Sequence, residues 1–217
     1  MTMRRSSEGL PRGVRARKWR AALLLSCALA WPAFAVTVTD DAARTVTLAA
    51  PARRIVALAP NLTEMLYAVG AGANLVGAVS YSDWPRAAQK LPRVGSYGAL
   101  DWERIVALHP DLVLVWSSGN PPGTRERLEK LGFAVFESEP RRLADIPPTL
   151  VRLGRLTGHE REGEDAAGVF SARLAALRAR YAARPPVRVF YQIWGSPPIT
   201  VNGRHIVSDV IRLCGGE

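Results

Sequence analysis

Two cysteines and three histidines are the only thiols and imidazoles among 217 residues. Cys27 and Cys214 stand at opposite ends of the chain, so no cysteine pair has the spacing of a zinc site. His109, His159 and His205 show neither HxxxH nor HExxH spacing, and no GxSxG turn is present, so metalloprotease and α/β-hydrolase chemistry have no candidate residues. The chain does not read as an enzyme, and no resident metal or cofactor is expected. A dinucleotide fingerprint is missing as well. Gly70-Ala71-Gly72 closes a helical pattern and precedes a strand, the reverse of the order such a site needs.

The apolar run Ala21 to Trp31 falls far short of the roughly 20 residues of a membrane span. It follows a basic stretch and precedes Ala33-Phe34-Ala35, the layout of a secretory leader with an A-x-A cleavage site, so residues 1–35 are read as a signal peptide and the protein as periplasmic. Leu24-Leu25-Ser26-Cys27 keeps a lipoprotein site open as the alternative. The leader also accounts for most of the charge. Of the formal net charge of +10, the first 35 residues carry +6 and the remainder only +4. No basic patch interleaved with aromatics appears in that remainder, which excludes a nucleic-acid partner.

What is present is a hydrophobic content of 48%, enough for a core. Val36 to Asp40 and Arg44 to Leu48 alternate apolar and polar residues, the mark of a hairpin with one wet face. Arg54 to Ala59 reads as a buried strand. A helix is expected from Asn61, capped by Asn61 with Glu64, striped by Leu62, Met65, Leu66 and Val69, and stopped by Gly70. Leu75 to Val79 is the next strand. The most informative stretch is Asp101 to Trp116: helical spacing at Trp102, Ile105, Val106 and Leu108 is handed through His109-Pro110 into Leu112 to Trp116, apolar at every position. A strand buried on both faces belongs in a parallel sheet, whose carboxyl ends form a ligand crevice. A helix at about 123–131 and a strand at 133–137 repeat the alternation, so the fold class is α/β.

Pro147-Pro148 opens a helix near 149–157, and a second helix is expected from Asp165 to Ala183 with Phe170, Leu174, Leu177 and Tyr181 in one stripe. Its length, at 1.5 Å per residue, suits a strut between two lobes. A strand at Val187 to Gln192, a turn at Asn202-Gly203 and a helix at 208–213 begin a second lobe. The division is therefore 36–142 for an N-terminal lobe, 143–184 for helices including the strut, and 185–217 for the start of a C-terminal lobe.

Aromatic residues gather where loops leave the sheet: Tyr81 and Trp84 in Tyr81-Ser82-Asp83-Trp84-Pro85, Tyr97, Trp116 at the end of its strand, and Trp194. Such rings suit a broad, flat, partly polar ligand, against which they stack with little loss of rotamer freedom.

Arg54 to Pro60, the Tyr81 to Pro85 loop, Glu103 to Leu108 with Pro110 to Val113, and Tyr191 to Gly203 together resemble the periplasmic binding proteins that deliver metal chelates, siderophores, haem and corrinoids to ABC importers. The resemblance runs from about Val36 to Glu217. Its aromatic loops lean towards the cobalamin-binding members, and a ferric siderophore or haem is the alternative cargo. It implies a two-lobe fold with a long interlobe helix and a ligand cleft lined by Tyr81, Tyr97, Trp116 and Trp84. Ile193 or Trp194 would contribute from the second lobe. It implies that Glu103 docks onto arginines of the permease, with the ATPase behind it, and that the protein is a monomer. It also implies a lobe-closing disulfide that begins at Cys214. The partner cysteine and a second docking carboxylate have no counterpart before Glu217, so the chain is expected to be C-terminally truncated and to bind weakly or aggregate.

Overall fold

The computed structural model describes residues 35–96 and 98–217. The expected leader, with Cys27, lies outside the described residues apart from Ala35, and so does Tyr97.

The chain opens with the antiparallel hairpin β1 (Val36–Thr39) and β2 (Thr45–Leu48), in which Val36 faces Leu48 and Thr39 faces Thr45. Asp40 closes it: its Oδ1 accepts the N–H groups of Ala42 and Arg44. A small residue with a short acceptor side chain is what such a turn requires. There follow β3 (Ile55–Ala57), α1 (Pro60–Ala68), β4 (Leu75–Ala78), a two-residue hairpin of β5 (Gly95–Ser96) and β6 (Ala99–Leu100), α2 (Trp102–Ala107), β7 (Leu112–Trp116), α3 (Thr124–Lys130) and β8 (Val135–Ser138). The helices α4 (Ile146–Thr157), α5 (Glu160–Tyr181) and α6 (Ile206–Leu213) complete the described chain.

Four strands pair in the order β4-β3-β7-β8, all parallel, with Ile55 beside both Leu75 and Leu112 and Trp116 beside Ser138. The parallel sheet is the one that the uninterrupted apolar run of β7 predicts: Leu112 to Val115 are all buried. Side chains alternate across it. Ile55, Ala57, Leu112, Leu114 and Phe136 pack with α1, α4 and the β1–β2 hairpin, whereas Val56, Val113, Val115 and Val135 pack with Ile105 of α2 and Leu128 of α3. The result is three layers with a core on each side of the sheet.

Local details correct several expectations. Asn61 does not cap α1: the helix starts at Pro60 with Ala59 at the cap position and no side-chain cap. Proline at the first helical position brings a preset φ and lacks an N–H that would go unbonded there, which moves the boundary one residue earlier. The α2 cap is a side chain, with Asp101 accepting the Arg104 N–H at 3.0 Å. Val106 of that helix, expected in the apolar stripe, is exposed. The long helix begins at Glu160 rather than Asp165, because Glu160 and Glu162 in its first turn complement the positive end of the helix dipole. Its first half lies against α4. A Cβ on Gly154 would stand 3.0 Å from the Cα of Gly163, so the pair of glycines is what lets the two backbones touch. From Ser171 onward only Leu174 is buried, and Leu177 of the expected stripe is exposed.

The expected strand Val187 to Gln192 does not form. Val187 makes one parallel bridge to Gly216, with Val187 and Val189 donating to the carbonyls of Gly215 and Glu217 and Glu217 donating back to Val187. No further strand of the described residues lies alongside to extend the ladder. Among those residues no helix is long and apolar enough to cross a membrane.

An ionic cluster ties the hairpin to the sheet. Arg125 of α3, almost fully buried, bonds Asp40, pairs with Glu129 at 2.8 Å and with Glu137 of β8 at 3.3 Å. Burial works to lower the pKa of this guanidinium, but the hydrogen bond and charge of Asp40, with Glu129 behind them, outweigh it and leave the pKa raised. Arg152 of α4 reaches Asp41 at 2.6 Å and the Thr39 carbonyl at 2.9 Å.

Candidate functional site

Parallel strands place all their carboxyl ends along one edge, so the segments after Ala78, Ala57, Trp116 and Ser138 meet there. Along this edge lies a cleft of about 720 Å³. Its apolar lining comes from Pro60 and Met65 of α1, Trp116, Pro140, Ile146 and Ile206. Its polar lining comes from Asn61, Glu64, Ser118, Glu139, Arg141, Asn202, Arg204 and His205.

Trp116 is fixed from two directions. Its backbone N–H donates to Asn120 Oδ1 at 2.8 Å, and Asn120 Nδ2 donates to the Leu58 carbonyl at 2.8 Å, so one buried amide ties the end of β7 to the segment after β3. A Cβ on Gly119 would overlap the indole ring, which lies flat against that glycine. Half-buried and packed against the core, the ring presents its remaining surface to the cleft. Glu139, on the next strand end, accepts the Ser118 N–H at 2.9 Å, and its own N–H donates to Asp41 at 2.6 Å.

A second depression of about 510 Å³ adjoins the cleft and shares Asn61, Glu64, Met65 and Ile146 with it; Trp84, Tyr67 and Phe170 line it. Trp84 is thus placed beside the cleft rather than within it. Tyr81, 75% exposed with φ +67°, projects from the turn that follows β4. That turn is held from below, where Arg93 donates to the carbonyls of Val79 and Ser82 and pairs with Asp83, and Thr63 donates to the buried Ser82 hydroxyl. A tyrosine in the left-handed region is uncommon, and the surrounding bonds are what keep it there.

From the final segment the cleft receives Asn202, Arg204, His205 and Ile206, which sequence reasoning passed over. Ile193 and Trp194, the residues it singled out, stand exposed in a tight turn where Trp194 and Ile199 pair and the indole N–H donates to Ser196. The signal that was available is Asn202-Gly203 followed by a helix: the Asn202 side chain accepts the Arg204 N–H at 2.9 Å and turns the chain towards the cleft. Glu103 is exposed in the first turn of α2. Cys214 is free and exposed. Among the described residues no group of three or more His, Cys, Asp or Glu is placed to hold a metal ion.

The geometry is that of a cleft at the rim of a parallel sheet, with one fixed indole and a polar lip, and residues 55–217 match the periplasmic binding protein family. The chain belongs to that family. A vitamin B12-binding protein of Vibrio vulnificus (strain YJ016) is 40% identical over 169 residues, 78% of this chain and 62% of its own length. A vitamin B12-binding protein of Yersinia pestis (strain Pestoides F) is 40% identical over 166 residues, 59% of its own length. The chain thus spans about three fifths of the curated relatives it matches. Among solved structures, the periplasmic vitamin B12 binding protein BtuF of Vibrio cholerae superposes with a TM-score of 0.72 at 40% identity, over 77% of this chain and 66% of that one. The periplasmic heme-binding protein RhuT from Roseiflexus sp. RS-1 superposes at 0.67 with 28% identity, over 76% and 64%. As a periplasmic binding protein, the chain has the α/β fold with a parallel sheet that its strand pattern predicts.

Proposed function

We propose that this chain carries the ligand-capturing part of an ABC importer's periplasmic binding protein, and that its cargo is a corrinoid of the vitamin B12 type. The observation that carries the reading is the sheet-edge cleft with Trp116 held flat on Gly119, in a chain 40% identical to vitamin B12-binding proteins. Capture involves no bond making. A corrin ring is broad and apolar on its faces and fringed with amides, and the cleft matches this division: the indole, Met65, Ile146 and Ile206 offer contact area, while Asn61, Glu64, Asn202, Arg204 and His205 offer hydrogen bonds to the fringe. The adjoining depression extends the floor towards Trp84. Tyr81 would contact the ligand from the loop side and Ile193 or Trp194 from the final segment, and Tyr97 is kept as a further proposed ligand contact. Glu103, at the exposed start of α2, is the proposed contact with basic residues of the permease.

Titration of the chain with cyanocobalamin, followed by quenching of tryptophan emission and by calorimetry, tests the reading. Saturable one-to-one binding is expected. A second cargo, haem, is favoured by the likeness to RhuT and by the exposed Tyr81 phenol, a group able to ligate iron. Formation of a Soret band on haem addition, with no response to cyanocobalamin, would replace the corrinoid reading by that one.

A further inference from the structure

His205 is the one imidazole in the cleft, and its hydrogen bonding decides what it can offer a ligand. It occupies the cap position of α6, where its Nδ1 faces the backbone N–H of Val207 at 3.2 Å. An amide N–H can only donate. Nδ1 must therefore be the unprotonated nitrogen, and the neutral ring carries its proton on Nε2. Among the described residues no hydrogen bond engages Nε2.

From this we infer that His205 is a specificity-determining donor of the cleft: the helix cap locks it in the Nε2–H form, so it hydrogen-bonds a carbonyl acceptor on the ligand and does not ligate the ligand's metal. Coordination through Nε2 would need a lone pair where the proton sits. Coordination through Nδ1 would break the cap and leave the Val207 N–H without its acceptor. The neighbourhood agrees with a donor role. Arg204 and Asn202 beside it also line the cleft, and together with Arg141 they make this lip rich in N–H groups suited to the amide carbonyls or the phosphate of a corrinoid. The inference rests on the corrinoid reading for the ligand, but not for the tautomer.

Three measurements on the full chain test it. Nitrogen-15 NMR of the imidazole in the free protein should show the Nε2–H tautomer; a Nδ1–H ring overturns the inference. His205→Ser keeps a strong helix cap and removes the reach of the donor, so cyanocobalamin affinity should fall about three- to tenfold, the loss of one neutral hydrogen bond, with the melting temperature unchanged. His205→Ala should show the same affinity loss and also a lower melting temperature. Full affinity in the serine variant would mean that the residue matters only as a cap, and would sink the idea. Aquocobalamin, whose axial water exchanges readily for imidazole, should bind without a change in its visible spectrum; a shift to the imidazole-ligated spectrum that vanishes in His205→Ser overturns the inference. If the unaltered chain binds no cobalamin, the corrinoid reading falls and the ligand named here falls with it, while the NMR result still decides the state of His205.

Discussion

Residues 55–157 and residues 185–217 draw on the same apolar vocabulary of Val, Ile, Leu and aromatic side chains, yet they use it in opposite ways. In the first stretch Ile55, Leu58, Leu62, Leu66, Leu112, Leu114 and Phe136 have essentially no exposed surface. In the second no residue is buried, and Val187, Phe190, Ile193, Trp194 and Ile199 all face solvent. The difference is one of neighbours. Val56 and Val113 sit in strands flanked by strands and covered by helices on both sides. Val187 and Val189 have backbone partners only at residues 215–217, and both remain exposed, at 62% and 45%. Apolar sequence provides the tendency to be buried, and a paired and covered backbone provides the place.

The contrast can be broken or sharpened by substitution. Phe136→Ala removes a fully buried ring between β8 and α4 and should cost about 3–5 kcal/mol in urea unfolding. A cost below about 1 kcal/mol would mean that this half of the molecule is no better packed than the other. Arg125→Ala leaves Asp40 buried without its cation and should cost a similar amount, about 3–5 kcal/mol, whereas replacing both partners with apolar residues of like volume should recover much of it. Equal losses for the single and the double change would show that the stranded Asp40 carboxylate is not what the single change costs. Gly119→Ala forces the Trp116 indole off its seat; a stability loss of about 1–3 kcal/mol is expected, with a shift in tryptophan emission and weaker cyanocobalamin binding. Unchanged emission and affinity would detach Trp116 from the cleft floor. Phe190→Ser, at a ring 77% exposed, should change stability by less than about 0.5 kcal/mol. A loss comparable to that of Phe136→Ala would show that the final segment is covered in solution.

The same contrast explains what could be read in advance. β7 and the hairpin β1–β2 were legible because local periodicity and burial agree there: every residue from Leu112 to Val115 is apolar and buried, and the hairpin strands alternate as their sequence does. The segment 187–192 was misread because strand propensity names a shape without supplying a neighbour. In the cleft, Trp116 announced itself as a large ring at a strand end. Arg204 and His205 did not, since a polar residue after a turn reads as solvated surface until the tertiary fold brings it opposite α1. Arg125 was hidden for the same reason. In sequence it is one arginine of an amphipathic helix, and only the fold sets it on Asp40, 85 residues away.

By itself the sequence determined the alternation of strand and helix, the parallel sheet and the edge at which a ligand would lie, because these follow from side-chain period and chain direction, which are local. Only the tertiary structure decided which polar groups meet across that edge, how Asn120 ties down the backbone of Trp116 while Gly119 seats its indole, and which nitrogen of His205 faces the Val207 N–H. Each of these depends on a contact between segments distant in the chain or on a single hydrogen bond, and no periodicity encodes either.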